Sequence, residues 1–166
     1  MNIQIEIINF DDIEEQKLYD NLISESKCSF IQQTSFWGNV IKDISPDKPY
    51  FLIAKENGKW IGGLNLFLYS NSMGNILTSN PHAGSIGSIS VHPDVADPKK
   101  VYKSLLDYAV KLAHELDCIT LTVTTNPFLN DSDLFYNYLK PETGMETFIQ
   151  VIWLNEFFND QGNTGF

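Results

Sequence analysis

Residues 88–128 read SISVHPDVADPKKVYKSLLDYAVKLAHELDCITLTVTTNPF, a stretch that limits the fold more tightly than any other in the chain. It reads as a strand, a tight polar turn, a long amphipathic helix and a second strand. Val101, Leu105, Tyr108, Ala109, Leu112 and Leu116 fall on one helical stripe, while Lys100, Lys103, Lys111 and His114 lie off it. Ile119, Leu121 and Val123 then alternate with Thr120, Thr122 and Thr124, the period of a half-buried strand. Two strands joined through a helix of this length suggest a βαβ-like unit. Its turn opens onto a helix N-terminus, where a phosphate-bearing ligand would dock.

A chain of 166 residues is one domain's worth, and 43% hydrophobic content is enough for a real core. The net charge of −10 argues against non-specific DNA binding and against docking on an anionic bilayer, since both demand a basic surface. Cys28 and Cys118 are the only cysteines, and with an ample core they read as reduced thiols of a cytoplasmic protein. No stretch approaches the roughly 20 apolar residues of a membrane helix, so no membrane insertion is expected.

In chain order, the isoleucine-rich alternation of residues 2–10 predicts a first strand. Asp12 followed by Glu15 resembles a capping box and opens a helix to about Lys27, with Leu18, Leu22 and Ile23 inward. Thr34 or Ser35 caps a short second helix carrying Phe36, Trp37, Val40 and Ile41. Residues 50–56 and 59–69 form a hairpin across Asn57-Gly58, the strongest short-range hairpin signal a sequence offers. Gly62-Gly63 marks a bulge or a close backbone approach. A turn near Met73 leads to a third strand, and residues 79–88 form a small-residue loop suited to bringing backbone near a ligand. A short helix over 131–139 and a last strand over 146–154 follow the central unit. The expected order is β, α, α, β, β, β, β, α, β, α, β. That is one mixed α/β (α+β) domain over 1–155, its central sheet mainly antiparallel and flanked by helices.

This order resembles the GNAT acyltransferase fold. SISVHPD, the long helix and CITLTVTTN look like its core strand, phosphate turn, helix and following strand, and LFYNYLKPETGM looks like the helix where many members keep a tyrosine, here Tyr136. FIQQTSFWGNVIKD, PYFLIAKENGKWIGGLNLFLY and SNPHAGSIGS together resemble the N-terminal half of FemAB-like proteins, which carry two GNAT-type domains. The resemblance implies transfer of an acyl or aminoacyl group to an amine or hydroxyl, on a small molecule or a cell-envelope or polysaccharide precursor. It implies acyl-CoA or aminoacyl-tRNA as donor and no tightly bound cofactor. It also implies a second GNAT-like domain, with residues 156–166 as its start. A non-catalytic acceptor-binding or scaffolding half is the alternative. That alternative rests on the turn VADPKKVY, which lacks the glycines of the family's phosphate cradle and contains Pro98, a residue with no amide hydrogen.

Candidate site residues follow. His82, in the small-residue loop, is the group able to take a proton near neutral pH, and Tyr136 is the family's candidate to protonate a leaving thiolate. Gln32, Gln33, Trp37, Ser79, Asn80, Gly84 and Gly87 are candidates for acceptor binding, and Lys99 and Lys100 for donor phosphates. A core position for Trp37 and Tyr136 is the competing reading, as is a helix cap for Asp131 and a strand-end role for His92. His82, His92 and Cys118 lack metal-ligand spacing, so no metal is expected.

Overall fold

The computed structural model describes residues 3–80, 87–126, 128, 129, 131, 134 and 135. Its elements are β1 (Ile3–Ile7), α1 (Ile13–Glu25), a 3₁₀ turn (Ile31–Gln33), α2 (Ser35–Ile44), β2 (Lys48–Pro49), β3 (Leu52–Glu56), β4 (Lys59–Leu64), β5 (Phe67–Asn71), β6 (Gly74–Thr78), β7 (Ile89–Val91), α3 (Pro98–Glu115) and β8 (Cys118–Thr122). The sequence expectation over 146–154 lies outside the described residues, as do most of 131–139, the residues from 136 onward that include Tyr136 and Trp153, and His82 and Gly84.

Each helix start has a visible cause. Asp12 Oδ1 accepts from the amides of Glu14 and Glu15, at 2.9 and 3.3 Å, and Glu14 and Glu15 suit the positive end of the α1 dipole. Glu15 reaches back to the Asn9 amide at 2.6 Å, and not to Asp12 as a full capping box requires. Thr34 caps α2 through the Trp37 amide, and Asp20 of α1 grips both the amide and the hydroxyl of Ser35. Pro98 stands in the first turn of α3, where its missing amide is no loss.

Among the described residues there are two four-stranded sheets, ordered β1-β3-β4-β7 and β2-β5-β6-β8. Two long strand paths run through both, residues 48–56 with β2 and β3 and residues 59–71 with β4 and β5, and β6 and β7 likewise lie in different sheets. The single 59–69 strand expected from sequence is therefore bent at Asn65 and Leu66. At the bend the Tyr50 amide still donates to the Leu66 carbonyl, so the meander keeps its pairing across the kink. Asn57 and Gly58 make the hairpin tip with φ of 50° and 79°, the left-handed pair that a two-residue turn needs.

The β3–β4 register shifts by one residue between Ala54 and Lys55, a bulge beside the glycine pair. A Cβ on Gly62 would lie 2.4 Å from Val101 of α3, and one on Gly63 would lie 3.0 Å from the Tyr19 ring of α1. The glycines thus let a helix approach each face of the first sheet.

Two apolar clusters result. Leu52, Ala54, Leu64, Leu66 and Ile89 pack with Val101, Leu105, Ala109 and Leu112 of α3. Phe51, Ile53 and Phe67 point the other way, toward Tyr19 and Ile23 of α1 and Ile41 of α2. The α3 stripe is wider than the spacing predicted, because Tyr102, Leu106 and Ala113 are buried too. On α1 Leu22 and Ile23 are buried as expected and Tyr19 joins them, while Leu18 is 51% exposed; on α2 Phe36 is 58% exposed.

The central βαβ-like unit takes a modified form. β8 runs parallel to β6, not beside β7 (Asn75↔Cys118 through Thr78↔Thr122). The Ser79 amide adds one more rung to the Thr122 carbonyl, at 2.9 Å. Past that point β7 turns to pair with β4, and the chain after β8 leaves it. The strands part after Ser79, the first residue of the small-residue stretch of the sequence.

Candidate active site

The parting of β7 from the chain after β8 is held by side chains at its apex. Ser79 Oγ donates to the Gly87 carbonyl at 2.8 Å and accepts from the Thr124 amide at 3.0 Å. Thr124 Oγ1 faces both Asn80 Oδ1, at 2.9 Å, and the Gly87 carbonyl oxygen. Gly87 is required by contact: a Cβ there would fall 1.7 Å from the Ser79 carbonyl oxygen.

The α1–α2 connection bridges the two sides. Buried Gln33 donates from Nε2 to the Ser88 carbonyl and to Ser90 Oγ, at 2.9 and 3.0 Å, and accepts from the Phe30 amide at 2.9 Å. On the far side Asn126 Nδ2 donates to the Cys28 carbonyl at 2.7 Å, and the Phe30 and Phe128 rings stack at 5.7 Å. Asn65, fully buried at the strand bend, donates to the carbonyls of Gln32 and Ser79, both at 3.3 Å.

The structure therefore brings Gln32, Gln33, Ser79, Asn80 and Gly87 together, through Asn65, Ser88 and Thr124. Both amide hydrogens of Gln33 and the hydroxyl of Ser79 are engaged within the protein. Trp37 lies on the α1/α2 side of the sheet, packed against the cluster around Phe51, and its Nε1 is buried with no hydrogen-bond partner. Lys99 is exposed at the start of α3, and Lys100 pairs with Asp97 at 3.3 Å. His82, Gly84 and Tyr136 lie outside the described residues.

A cavity of about 260 Å³ opens where β7 meets α3. Val91, Pro93, Val95 and Pro98 form one wall, and Leu129 and Leu134 the opposite one. Lys27, His92, Tyr102 and Asp131 supply its polar groups. Tyr102 donates to Asp131 Oδ2 at 2.7 Å, and Asp131 Oδ1 is buried without a partner. Burial, with the carboxylate beside it, pushes the Tyr102 hydroxyl far above its ordinary value, so it stays protonated and a donor. Sequence reasoning assigned Asp131 to a helix cap. Its carbonyl does accept from the Leu134 amide, but its carboxylate turns to Tyr102, a pairing 29 residues apart that no local pattern signals.

His92 lines this cavity and two larger hollows beside the β3–β4 hairpin, of about 570 and 400 Å³. Its Nδ1 accepts from the Asp94 amide at 3.2 Å, which leaves Nε2–H to donate to Glu25 at 3.1 Å. With both ring nitrogens occupied, His92 organises the turn.

Three amides of the turn are bonded within it. Asp94 N–H goes to His92 Nδ1, Val95 N–H to the His92 carbonyl and Lys100 N–H to the Asp97 carbonyl. Pro93 and Pro98 have none.

Among the described residues there is no His, Cys, Asp and Glu cluster able to hold a metal, and no helix long and apolar enough to cross a membrane. Cys28 and Cys118 are free thiols.

Solved structures share this architecture. A ribosomal-protein-alanine N-acetyltransferase from Brucella melitensis biovar Abortus 2308 aligns with a TM-score of 0.60 at 14% identity, covering 91% of this chain and 100% of that one. An aminoglycoside acetyltransferase from an uncultured soil metagenomic sample, in complex with trehalose, aligns at 0.59 and 16% identity, covering 92% and 96%. A possible acetyltransferase from Clostridium difficile 630 aligns at 0.57 and 13%, covering 91% and 98%. At these identities the likeness is one of fold. No curated protein sequence matches the chain. The sequence profile of the acetyltransferase (GNAT) family matches residues 12–137, through both helices of the first half, the meander, the parted strands and α3. The chain belongs to the acetyltransferase (GNAT) family.

Proposed function

We propose that this chain transfers an acyl group, most simply acetyl, from acyl-CoA to an amine. The observation that carries the reading is the parting of β7 from the chain after β8, with a cavity lined by Val91 of β7 and by Pro98 and Tyr102 of α3. Parted parallel strands expose backbone groups that a thioester arm can lie along. The amine nitrogen attacks the thioester carbonyl carbon, the new C–N bond forms, and the C–S bond breaks. The thiolate leaves and takes up a proton equivalent to the one the amine gives away. Positioning supplies much of the rate in such a reaction, so no strong base is demanded of the chain.

Within this reading His82 takes the amine proton and Tyr136 protonates the thiolate. Gln32, Asn80 and Gly84 border the acceptor, with Gln33, Ser79 and Gly87 holding the loop that carries it; Trp37, expected there from sequence, packs instead in the core around Phe51. Lys99 and Lys100 stand nearest the donor phosphates. A net charge of −10 favours a small thioester over an aminoacyl-tRNA. The acceptor class that the FemAB resemblance favours is a sugar amine or cell-envelope precursor.

The two prolines and three engaged amides of the β7–α3 turn favour a second reading. In it the chain is the acceptor-binding half of a FemAB-like pair and works with a second GNAT-like domain. Incubating the 166-residue chain with acetyl-CoA and a panel of amino sugars and peptide amines distinguishes the two, with thiol release and product mass as readouts. Release that requires both substrates supports the first reading. Binding of an amine without release, across the whole panel, supports the second.

A further inference from the structure

We infer that the trough between α1, the β3–β4 hairpin and the β7–α3 turn is a docking surface for a partner polypeptide, and that its occupant is an extended segment with two basic side chains flanking an apolar one. The inference goes beyond the acyl-transfer reading and does not depend on it. The trough shares no residue with the apex around Ser79 and Thr124.

The trough is two adjoining hollows. One, of about 400 Å³, lies against α1, with Leu18, Asn21, Leu22 and Glu25 on its wall. The other, of about 570 Å³, lies between the hairpin and the turn, with Glu56, Ile61, Asp94 and Val95 on its wall. Lys59, Trp60 and His92 line both, so the hollows meet across them. Each volume is within the roughly 300–1,000 Å³ of ligand sites, and two such hollows in a row suit a chain more than one compact molecule.

The apolar contacts are in place before anything binds. Spacing along α1 assigns Leu18 to the inward side, yet it stands 51% exposed on the wall of the first hollow. Trp60, at the meeting of the two hollows, is half-buried, and Lys55 Nζ lies 5.3 Å from its ring centroid while pairing with Glu6 at 2.5 Å. An indole held in this way loses little freedom when a ligand packs on it.

Charge selects the occupant. Glu25 serves the first hollow and Glu56 and Asp94 the second, against the single lysine Lys59. His92 engages Glu25 Oε2 at 3.1 Å, and its other ring nitrogen accepts from the Asp94 amide. The side chains of Glu25 and Asp94 nevertheless remain 60% and 91% exposed. Carboxylates in both hollows with an indole between them complement two cations separated by an apolar group. In an extended chain the side chains of residues i, i+2 and i+4 share one face over about 13 Å, so the matching order is basic, any, apolar, any, basic.

The test is fluorescence anisotropy of an end-capped, fluorescein-labelled arginine–serine–leucine–serine–arginine peptide titrated with the 166-residue chain. This probe has no amine and cannot report as an acyl acceptor. Saturable binding is expected, weakened about fivefold by the double change Glu25→Gln and Glu56→Gln, the scale of two exposed charge pairs. Lys59→Glu is expected to tighten it about two- to threefold, a gain that a damaged fold does not produce. Glu14→Gln, on α1 outside the trough, is expected to leave it unchanged.

No saturable binding of the peptide overturns the inference, as does binding that neither the double variant nor Lys59→Glu alters. A permuted peptide with its two arginines adjacent that binds equally well also overturns it, since the spacing is then not read. Displacement by 1,5-diaminopentane at the peptide's own concentration overturns it too, because the trough is then a small-diamine site. None of these outcomes touches the acyl-CoA reading, which stands or falls on thiol release.

Discussion

Burial raises the carboxyl of Asp131 above its ordinary 3.8, while the hydrogen bond from Tyr102 pulls the other way without cancelling it. The sign of the consequence is fixed by linkage. A group that binds its proton more readily in the native state contributes stability below its unfolded value and loses that contribution as pH rises through the native one. Wild type should therefore gain stability relative to Asp131→Asn as pH is lowered from about 7 to about 4. Urea unfolding of both proteins at the two pH values checks this, and a relative loss on acidification would show that the carboxylate is stabilised where it sits. Gly87 is the other residue with little freedom. Its missing Cβ would stand 1.7 Å from the Ser79 carbonyl oxygen, closer than any repacking of side chains can relieve. Gly87→Ala is expected to cost about 1–3 kcal/mol or to displace the loop base, with Thr124 losing its contacts at the apex. An unfolding free energy unchanged within about 0.5 kcal/mol would mean the apex is not the rigid hinge its hydrogen bonds describe.

At the scale of elements, periodicity and caps carried far. The boundaries of α3, the Thr34 cap of α2, the Asn57-Gly58 hairpin and the close approach at Gly62-Gly63 were all legible, because each depends on residues within a few positions of one another. Leu112 tests the α3 stripe most directly. It is 4% exposed against the first sheet, and Leu112→Ala should cost about 2–5 kcal/mol in chemical denaturation, the range for truncating a buried leucine. What failed to show in the sequence depends on distant partners. The strand bend at Asn65 is stabilised by the carbonyls of Gln32 and Ser79, 33 and 14 residues away. Tyr19 replaces Leu18 as the inward residue of α1 because Gly63 leaves a flat surface for its ring. β8 joins β6 and not β7, a pairing between distant segments that the pattern of neither segment contains. The site divides the same way. The small-residue loop announced itself by composition, whereas the Tyr102–Asp131 pair spans 29 residues and has no local signature.

For the molecule as a whole, the charge balance bears on how coenzyme A would be held on the acyl-CoA reading proposed above. Lysines and arginines number 11 against 21 acidic residues, so a polyanionic donor approaches through a repulsive field. In the family's glycine-rich cradles, bare amides offset that repulsion at the diphosphate; here Asp94 and Asp97 sit beside the turn, and Lys100 is already paired with Asp97 at 3.3 Å. Salt then acts in an unusual direction. Raising ionic strength from about 0.01 M to about 0.15 M shortens the Debye length from about 30 to about 8 Å and screens the repulsion, while an uncharged hydrogen-bonded arm in an apolar slot is little affected. Coenzyme A should therefore bind this chain about two- to threefold more tightly at the higher salt, and uncharged pantetheine should bind equally at both. A phosphate-gripping site would show the reverse for coenzyme A, with affinity falling as salt screens its lysines. Titrating the two ligands side by side at the two ionic strengths separates these cases, and a coenzyme A affinity that drops with salt would return the diphosphate, with Lys99 and Lys100, to the centre of donor recognition.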